Sequence, residues 1–269
     1  MCFVLDDYGA VHAGGAANDL SLTGGPYFGW DIARALSLVR GLPTDNAQHI
    51  GLLALDGFGG VHSFSTRRPV LRFYFDRDVA EGMEIRQEDL TGVAGDIGVF
   101  VLDRTGGVWT GGAVDPGMAA MASLSPPLDG TVNRAVDLVL ADTEGTSGWV
   151  MDNHGHVSPF GGAADAAFGV SAQRNWIALA PVGGQLVRAD ASGRLEWSDT
   201  PLAGWDLPML DAGMLVDMEV EPERGLVGLD RFGALHATSG AILPPPGSGP
   251  PYFGFEAARD LEIGPPLGR

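Results

Sequence analysis

Six copies of one short phrase recur along this chain of 269 residues. Each copy joins an apolar run, an Asp, two turn residues and a Gly to a second, alternating segment, as in "VLDDYGAVH" and "ALDGFGGVH". Successive copies are 50, 47, 49, 38 and 40 residues apart, and a repeat of this length is typical of a β-propeller blade. The repeated acid stands at Asp6, Asp56, Asp103, Asp152, Asp190 and Asp230.

Each copy predicts a β-hairpin, because Gly supplies the positive φ that tight hairpin turns need. A loop rich in Gly, Pro and Ala follows, and an apolar segment such as "DIARALSLV" or "EAARDLEI" closes the unit. We therefore predict an all-β chain that folds as one six-bladed β-propeller domain over residues 1–269. A helical "DIARAL", which would give an α/β repeat, is disfavoured because the segments are short and several alternate with period two. The units begin near residues 1, 51, 97, 147, 184 and 225.

A second phrase is shared by the two ends of the chain: "PYFGWDIARALSL" begins at Pro26 and "PYFGFEAARDLEI" at Pro251. The chain starts in the middle of a unit, at the strand "CFVLD", and ends with the closing segment of a unit. We predict that this last segment pairs with the first strand, so that one blade combines both ends and no sheet edge is left free. Residues 1–269 are then expected to form a complete ring.

The combination of "LDGFGGVH" (55–62) with "PYFGWDIARALSL" (26–38) resembles a bacterial β-propeller repeat family in which such phrases recur in tandem. The resemblance spans nearly the whole chain and is weakest in the fourth and fifth units. It implies a propeller with a binding or scaffolding role and an extracellular or cell-surface location, and it transfers no catalytic residue. The N-terminal "MCFVLDDYG" lacks the basic region of a signal peptide, so the residues themselves leave the compartment unknown.

The charge balance excludes several classes of partner. With 34 acidic and 16 basic residues the net charge is −18, so we expect no binding to nucleic acid or to anionic membrane surfaces.

There is no apolar run of 18 residues, and we predict no membrane insertion. Cys2 is the single cysteine, which excludes an intrachain disulfide and a thiolate metal cluster. We expect a monomer without a cofactor, Ca²⁺ being the ion to test.

The repeated positions favour structural roles. An Asp at a turn accepts hydrogen bonds from backbone amides two residues on, and a calcium site at these turns is the alternative. His12, His62 and His236 share one position in three units, where the other units have Trp109, Ser158 and Glu196. We predict a His–Asp or His–Arg link within a blade for these histidines. The candidate partners in the closing segments are Asp31 and Arg34, and Glu256 and Arg259.

Two local motifs are candidate sites. In "DNHGH", Asp152, His154 and His156 are candidate metal ligands, the alternative being a polar hairpin tip. In "RRPVLRFYFDR" (67–77), which takes the place of the Gly- and Ala-rich loop of the other units, arginines are interleaved with aromatic residues, a combination that suits an anion, a sugar or a protein partner. Packing between blades is the alternative for this second motif. Its candidate binding residues are Arg67, Arg68, Arg72, Phe73, Tyr74 and Arg77.

The function that these patterns favour is a non-enzymatic binding or scaffold module that presents loops to a protein or carbohydrate partner. The sequence leans against an enzyme, because it contains no GxSxG motif and no Cys–His arrangement. One alternative is a metal-dependent propeller hydrolase of the calcium type, such as a lactonase, for which Asn133, Asn175 and Glu219 are available. The other is a lectin with sugar pockets between blades, lined by Tyr27, Phe28, Trp30, Tyr252 and Phe253. Because these aromatic residues repeat, packing between neighbouring sheets is the favoured role for them.

Overall fold

The computed structural model shows that the described part of the chain is all β. It contains strands, turns and one 3-10 segment, Gly15–Asp19, and none of the described residues lies in an α-helix. "DIARAL" therefore does not form a helix; most of it belongs to a strand that starts at Ala33. The described residues are 1–20, 22–40, 50–66, 68–86, 97–115, 120–121, 128–142, 145–169, 175–221, 224–245 and 247–264.

Six antiparallel sheets are formed within the described ranges, five with three strands and one with four. Sheet 1 contains β1 (Cys2–Asp6), β2 (Val11–Gly14) and β19 (Ala258–Ile263); sheet 2, β3 (Ala33–Arg40), β4 (Ile50–Asp56) and β5 (Val61–Phe64); and sheet 3, β6 (Ala80–Arg86), β7 (Gly98–Asp103), β8 (Gly107–Gly111) and β9 (Ala120–Met121). Sheet 4 contains β10 (Ala135–Leu140), β11 (Gly148–Asp152) and β12 (Val157–Phe160); sheet 5, β13 (Trp176–Val182), β14 (Gln185–Asp190) and β15 (Leu195–Trp197); and sheet 6, β16 (Leu215–Glu221), β17 (Gly225–Asp230) and β18 (Leu235–Ala237).

In each sheet, the strand that ends at the repeated Asp lies between two neighbouring strands. Every residue of β1, β4, β7 and β17 is buried. Neighbouring sheets cover both faces of these strands, which explains why their sequences are continuous apolar runs such as "GLLALD" rather than alternating ones. The buried clusters accordingly combine residues of adjacent sheets, as Leu53 of sheet 2 does with Met83 and Val99 of sheet 3.

One outer strand of each sheet is the segment that closes a repeat unit, and it is called the first strand of its sheet below. These first strands contact one another in a closed cycle, in the order β3, β6, β10, β13, β16 and β19, and β19 contacts β3 again. Each first strand also has a β-bulge near its start, for example between Ala33 and Ala35. Sheet 1 is built from both ends of the chain: β19 pairs with β1 from Cys2–Ile263 to Leu5–Asp260. The predicted pairing of the last segment with the first strand of the chain is confirmed.

The residue after each repeated Asp links its own sheet to the next one. In sheet 2, the Gly57 N–H donates to the Ile32 carbonyl just before β3, and the Gly57 carbonyl accepts the N–H of Ala80 at the start of β6, at 2.9 Å. The last link returns to the beginning, because the Arg231 carbonyl accepts the Ala258 N–H at 3.0 Å. These links place all six hairpin turns on one side of the molecule, called the hairpin face below. The equivalent linking residues are Asp7, Arg104, Asn153 and Ala191.

Candidate functional site

The repeated Asp holds each hairpin turn through one carboxylate oxygen. In sheet 2, Asp56 Oδ1 accepts the backbone N–H groups of Phe58 and Gly60, both at 2.9 Å. The other five copies accept the N–H groups two and four residues on, at 2.7–3.1 Å. A short side chain with an acceptor at this reach suits the turn, and this geometry explains why Asp recurs six times.

The second carboxylate oxygen contacts a ring nitrogen in five of the six described turns. His62 pairs with Ala54, on the same sheet face as Asp56, and its Nε2 lies 2.8 Å from Asp56 Oδ2. The partner of the repeated His is therefore the hairpin Asp, not Arg34 or Arg259, because alternate strand residues share a face. The other such pairs are His12–Asp6, Trp109–Asp103, His156–Asp152 and His236–Asp230, at 2.7–3.0 Å.

Replacing Asp56 with Ala should destabilise the protein by about 1–3 kcal/mol, because two backbone amides and one imidazole lose a buried acceptor. Urea unfolding followed by circular dichroism measures this loss. Asp56→Asn keeps one oxygen for the amides and should recover part of it. Asp165→Asn, at an exposed position, is the control and should leave stability within about 0.5 kcal/mol of the wild type. An Asp56→Ala variant as stable as this control would contradict the structural role.

A half-buried Phe joins neighbouring sheets at three successive boundaries. The Phe28 N–H donates to the Tyr8 carbonyl at 2.7 Å, and the Phe28 ring covers Gly9 of sheet 1 so closely that a Cβ there would lie 2.5 Å from it. The other side of the ring meets His62 of sheet 2 edge-on, with centroids 4.9 Å apart. Phe253 and Phe75 make the equivalent contacts, to His12 at 4.9 Å and to Trp109 at 5.5 Å.

The residue before each of these phenylalanines is an exposed tyrosine on the hairpin face. Tyr27, Tyr74 and Tyr252, called the tyrosine row below, are 70%, 68% and 66% exposed. Each packs beside the aromatic residue two positions after a repeated Asp, which is Tyr8, Phe58 or Phe232, with ring centroids 6.0–6.3 Å apart. Three successive sheet boundaries thus present the same pair of aromatic rings to solvent.

The boundary between sheets 5 and 6 has the same backbone without the ring. The Leu210 N–H donates to the Ser192 carbonyl at 2.9 Å, as the Phe28 N–H does to Tyr8. Met209 therefore stands where the tyrosine row has Tyr, and it is 68% exposed. This position is therefore exposed at four boundaries, with Tyr at three of them and Met at the fourth.

The arginine-rich motif divides into two parts. Its Phe73 and Phe75 pack against the buried cluster of sheets 2 and 3, and Tyr74 and Phe75 are the local copy of the repeated Tyr–Phe element. The interpretation of this segment as a replacement of the Gly- and Ala-rich loop is therefore wrong for its aromatic half. Arg68, Arg72 and Arg77 are exposed and form no salt bridge with any described residue. Arg67 lies outside the described residues.

Arginine–carboxylate pairs are formed by the acid that stands four residues after each tyrosine of the row. Arg34 lies 2.6 Å from Asp78 and 3.4 Å from Asp31, and Arg259 lies 2.8 Å from Asp31. Arg104 bonds Glu81, and Arg231 lies 2.9 Å from Glu256. Arg34 and Arg259, predicted as repeated structural positions, thus tie one sheet to the next across the hairpin face.

A cavity of about 500 Å³ lies among the first strands. Six carboxylates line it in two sets, called levels below, that differ in their position along the first strands. The first level is formed by Asp137, Asp217 and Asp260, each two residues after the start of its strand, and the second by Glu84, Glu219 and Glu262, each four residues after it. Sequence reasoning missed these levels, although the alternating acids of "VDMEVE", "RDLEI" and "EGMEI" are their signal.

Four of these carboxylates bond the backbone of the next first strand. Asp137 accepts the Leu179 N–H at 2.6 Å, and Asp217 accepts the Leu261 N–H at 2.8 Å. Glu262 accepts the Leu38 N–H at 3.0 Å, and Asp260 accepts that of Leu36. First strands are sheet edges, whose N–H groups on the cavity side have no neighbouring strand to bond. The acids therefore help to join the sheets.

Burial raises the pKa of several of the cavity acids, and neighbouring carboxylates add to the effect. Burial, and then the charge of Asp217, raises the pKa of Asp137 to about 8. Burial likewise raises the pKa of Glu262 to about 8, against the opposing effects of its bond to Leu38 and of Arg40. The pKa of Glu219 is also raised well above its usual value, by burial and by Glu262, Asp217, Glu84 and Asp137.

The candidate metal ligands of sheet 4 belong to a hairpin turn. Asp152 Oδ1 accepts the N–H groups of His154 and His156, and Asp152 Oδ2 lies 2.8 Å from His156 Nδ1. Nowhere in the described ranges do three His, Cys, Asp or Glu side chains converge as a metal site requires. Asn175 and Glu219 both line the cavity, and buried Asn133 lies in a turn where its N–H donates to Asp129.

Comparison with models of known protein families finds no match, and comparison with curated proteins finds none. Within the described residues, no helix is long and apolar enough to cross a membrane.

Proposed function

We propose that the six sheets are the blades of one closed propeller, and that this ring is a non-enzymatic binding module whose ligand surface is the hairpin face. The observation that carries the proposal is the tyrosine row, three equivalent side chains that are each 66–70% exposed. Each of them offers a large aromatic surface to solvent, and Tyr is among the residues that contribute most binding energy at interfaces. The arginine–carboxylate pairs beside them add donors and acceptors that give a ligand its orientation.

Rigidity supports the same proposal. The hairpin turns are fixed by the repeated Asp, the boundaries by Phe28, Phe75 and Phe253, and the six linking residues join every blade to the next. A binding surface held in this way loses little conformational entropy when a ligand arrives. The hypothesis of a bacterial propeller repeat family, which rests on the sequence resemblance, is compatible with this role and is not required for it.

The proposal predicts that selection from a defined ligand panel depends on the tyrosine row. The immobilised protein and a Tyr27→Ser/Tyr74→Ser/Tyr252→Ser variant would be panned against a displayed random-peptide library and an array of purified glycans. The wild type should enrich peptides or glycans that the variant does not retain, since the exposed rings supply the contact area. Equal thermal melts show that both chains are folded. Identical enrichment by the two proteins would overturn the proposal.

A second candidate function, a metal-dependent hydrolase, is favoured by one observation: the cavity is lined by carboxylates from four sheets. Calcium prefers six to eight oxygen ligands, and the described carboxylates that bond backbone N–H groups already serve the fold. A hydrolase of this kind should gain thermal stability with Ca²⁺, because an ion at about 100 times its Kd adds about 2.7 kcal/mol. It should also hydrolyse lactones with Ca²⁺ and lose this activity in EDTA. No shift and no turnover would exclude it.

A further inference from the structure

On the basis of the binding function proposed above, we propose that the tyrosine row binds a neutral polysaccharide. The ligand would lie across the boundaries of sheets 6 and 1, 1 and 2, and 2 and 3, with sugar rings against Tyr252, Tyr27 and Tyr74.

The exposed rings suit sugars. The C–H groups on one face of a sugar ring carry partial positive charge, and they stack on the electron-rich face of an aromatic ring. Tyr27, Tyr74 and Tyr252 are each braced by a neighbouring aromatic ring at 6.0–6.3 Å. A braced ring is already ordered, so that a stacking ligand does not have to immobilise it. The tyrosine hydroxyl can also donate to and accept from sugar hydroxyl groups.

Polar groups recur beside each tyrosine at the same spacing. The residue four positions on is Asp31, Asp78 or Glu256, with side chains 55%, 35% and 63% exposed. Each of these carboxylates is paired with an arginine, so acceptors and donors stand together, and the exposed Arg72 and Arg77 on either side of Tyr74 in the sequence add further donors. Sugar hydroxyl groups both donate and accept, which matches such a mixed set.

Charge and layout favour a neutral polymer over other ligands. The net charge of −18 repels polyanions. A protein partner is best served by one continuous apolar centre from which charge is excluded, whereas these rings stand at separate boundaries with charged pairs beside them. A ligand with a repeating unit matches a surface that repeats with the sheets.

Repetition also sets the expected affinity. One stacked ring gives a weak site, but linked sites on a rigid body can exceed the single affinity by about 10²–10⁴. A polymer should therefore bind far more tightly than its own disaccharide, and each lost tyrosine should weaken the polymer further.

The test is native affinity electrophoresis in gels that contain dissolved galactomannan, mixed-linkage β-glucan or dextran, with alginate as the anionic comparison. We expect the intact protein to be retarded by at least one neutral polymer and not by alginate. One Tyr→Ser change should weaken binding by about 3- to 10-fold, and all three together by more than about 100-fold. Met209→Ser, at the equivalent exposed position without a ring, is the matched control and should bind as the wild type does. Thermal melts establish that every variant is folded.

The outcomes separate this inference from the function on which it rests. Retention of peptides that depends on the tyrosine row, with no retardation by any neutral polymer, would overturn the polysaccharide and leave the binding module. Equal weakening by Met209→Ser would also overturn it, because any exposed apolar side chain would then serve. If the wild-type protein binds neither peptides nor polymers, both proposals are overturned.

Discussion

Replacing Arg188 with Ala should lower the free energy of unfolding by about 3–5 kcal/mol. This side chain is wholly buried, and its guanidinium lies 4.0 Å from the ring centre of Trp176 and 4.5 Å from that of Phe168. It donates to the carbonyls of Gly155 and Gly169. At the boundary of sheets 4 and 5, Trp176 and Arg188 both lie against Gly155, as Phe28 lies against Gly9 at the boundary of sheets 1 and 2.

The loss arises because Ala leaves a cavity between two aromatic rings and two buried carbonyls without their donor. Urea unfolding monitored by tryptophan fluorescence measures it, with Arg194→Ala, at an exposed position in the same sheet, as the control. Arg188→Lys should recover only part of the stability, because an ammonium has neither the flat face nor the fork of a guanidinium. A loss below about 1 kcal/mol for Arg188→Ala would show that the boundary does not depend on this side chain.

Stability should fall by about 3 kcal/mol or more as the pH rises from 5 to 8. The pKa values of Asp137 and Glu262 are about 8 in the folded protein, against about 4 in an unfolded chain. Between these values the folded state holds more protons than the unfolded state, so stability decreases with rising pH. In terms of melting temperature, this fall corresponds to about 6–12 °C. Thermal melts in buffers of equal ionic strength at pH 5, 6, 7 and 8 would show it.

Glu219→Gln should reduce this pH dependence and stabilise the protein at pH 8. The variant keeps the shape of the side chain and removes one charge that faces Glu262, Asp217, Glu84 and Asp137. We expect a gain of about 1 kcal/mol or more, or about 2–4 °C in melting temperature. Asp206→Asn removes an exposed charge and should change neither the slope nor the melting temperature at pH 8. A wild-type stability that rises from pH 5 to pH 8 would contradict the crowding of these acids.

The features that repeat could be predicted from the sequence, because six copies show which residues the turn requires. The Asp turns and the pairing of β19 with β1 follow from that comparison alone. The aromatic half of the arginine-rich motif was misinterpreted because "RFYFDR" lacks the Gly of "PYFGWD" and "PYFGFE". The bond from the Phe75 N–H to the Phe58 carbonyl and the packing of Tyr74 beside Phe58 show that it is the same element.

Features built by distant segments could not be predicted. Arg188, Phe168 and Trp176 lie in three separate segments, and nothing in "LVRAD" indicates that its arginine is buried. The acids of the cavity stand two or four residues after the start of their first strands, just beyond a β-bulge. The bulge determines which side chains of the strand face the cavity. Their meeting depends on how six first strands pack, which no single segment reveals.

The linking residues also have a consequence for the cooperativity of unfolding. A linear array of repeats can lose its terminal unit while the remainder stays folded. In this chain the residue after each repeated Asp bonds two sheets at once, and among the described residues these links run from Asp7 to Arg231 and return to the first sheet. Unfolding of any one sheet would break its links to both neighbouring sheets. We therefore expect the six units to unfold in a single cooperative transition.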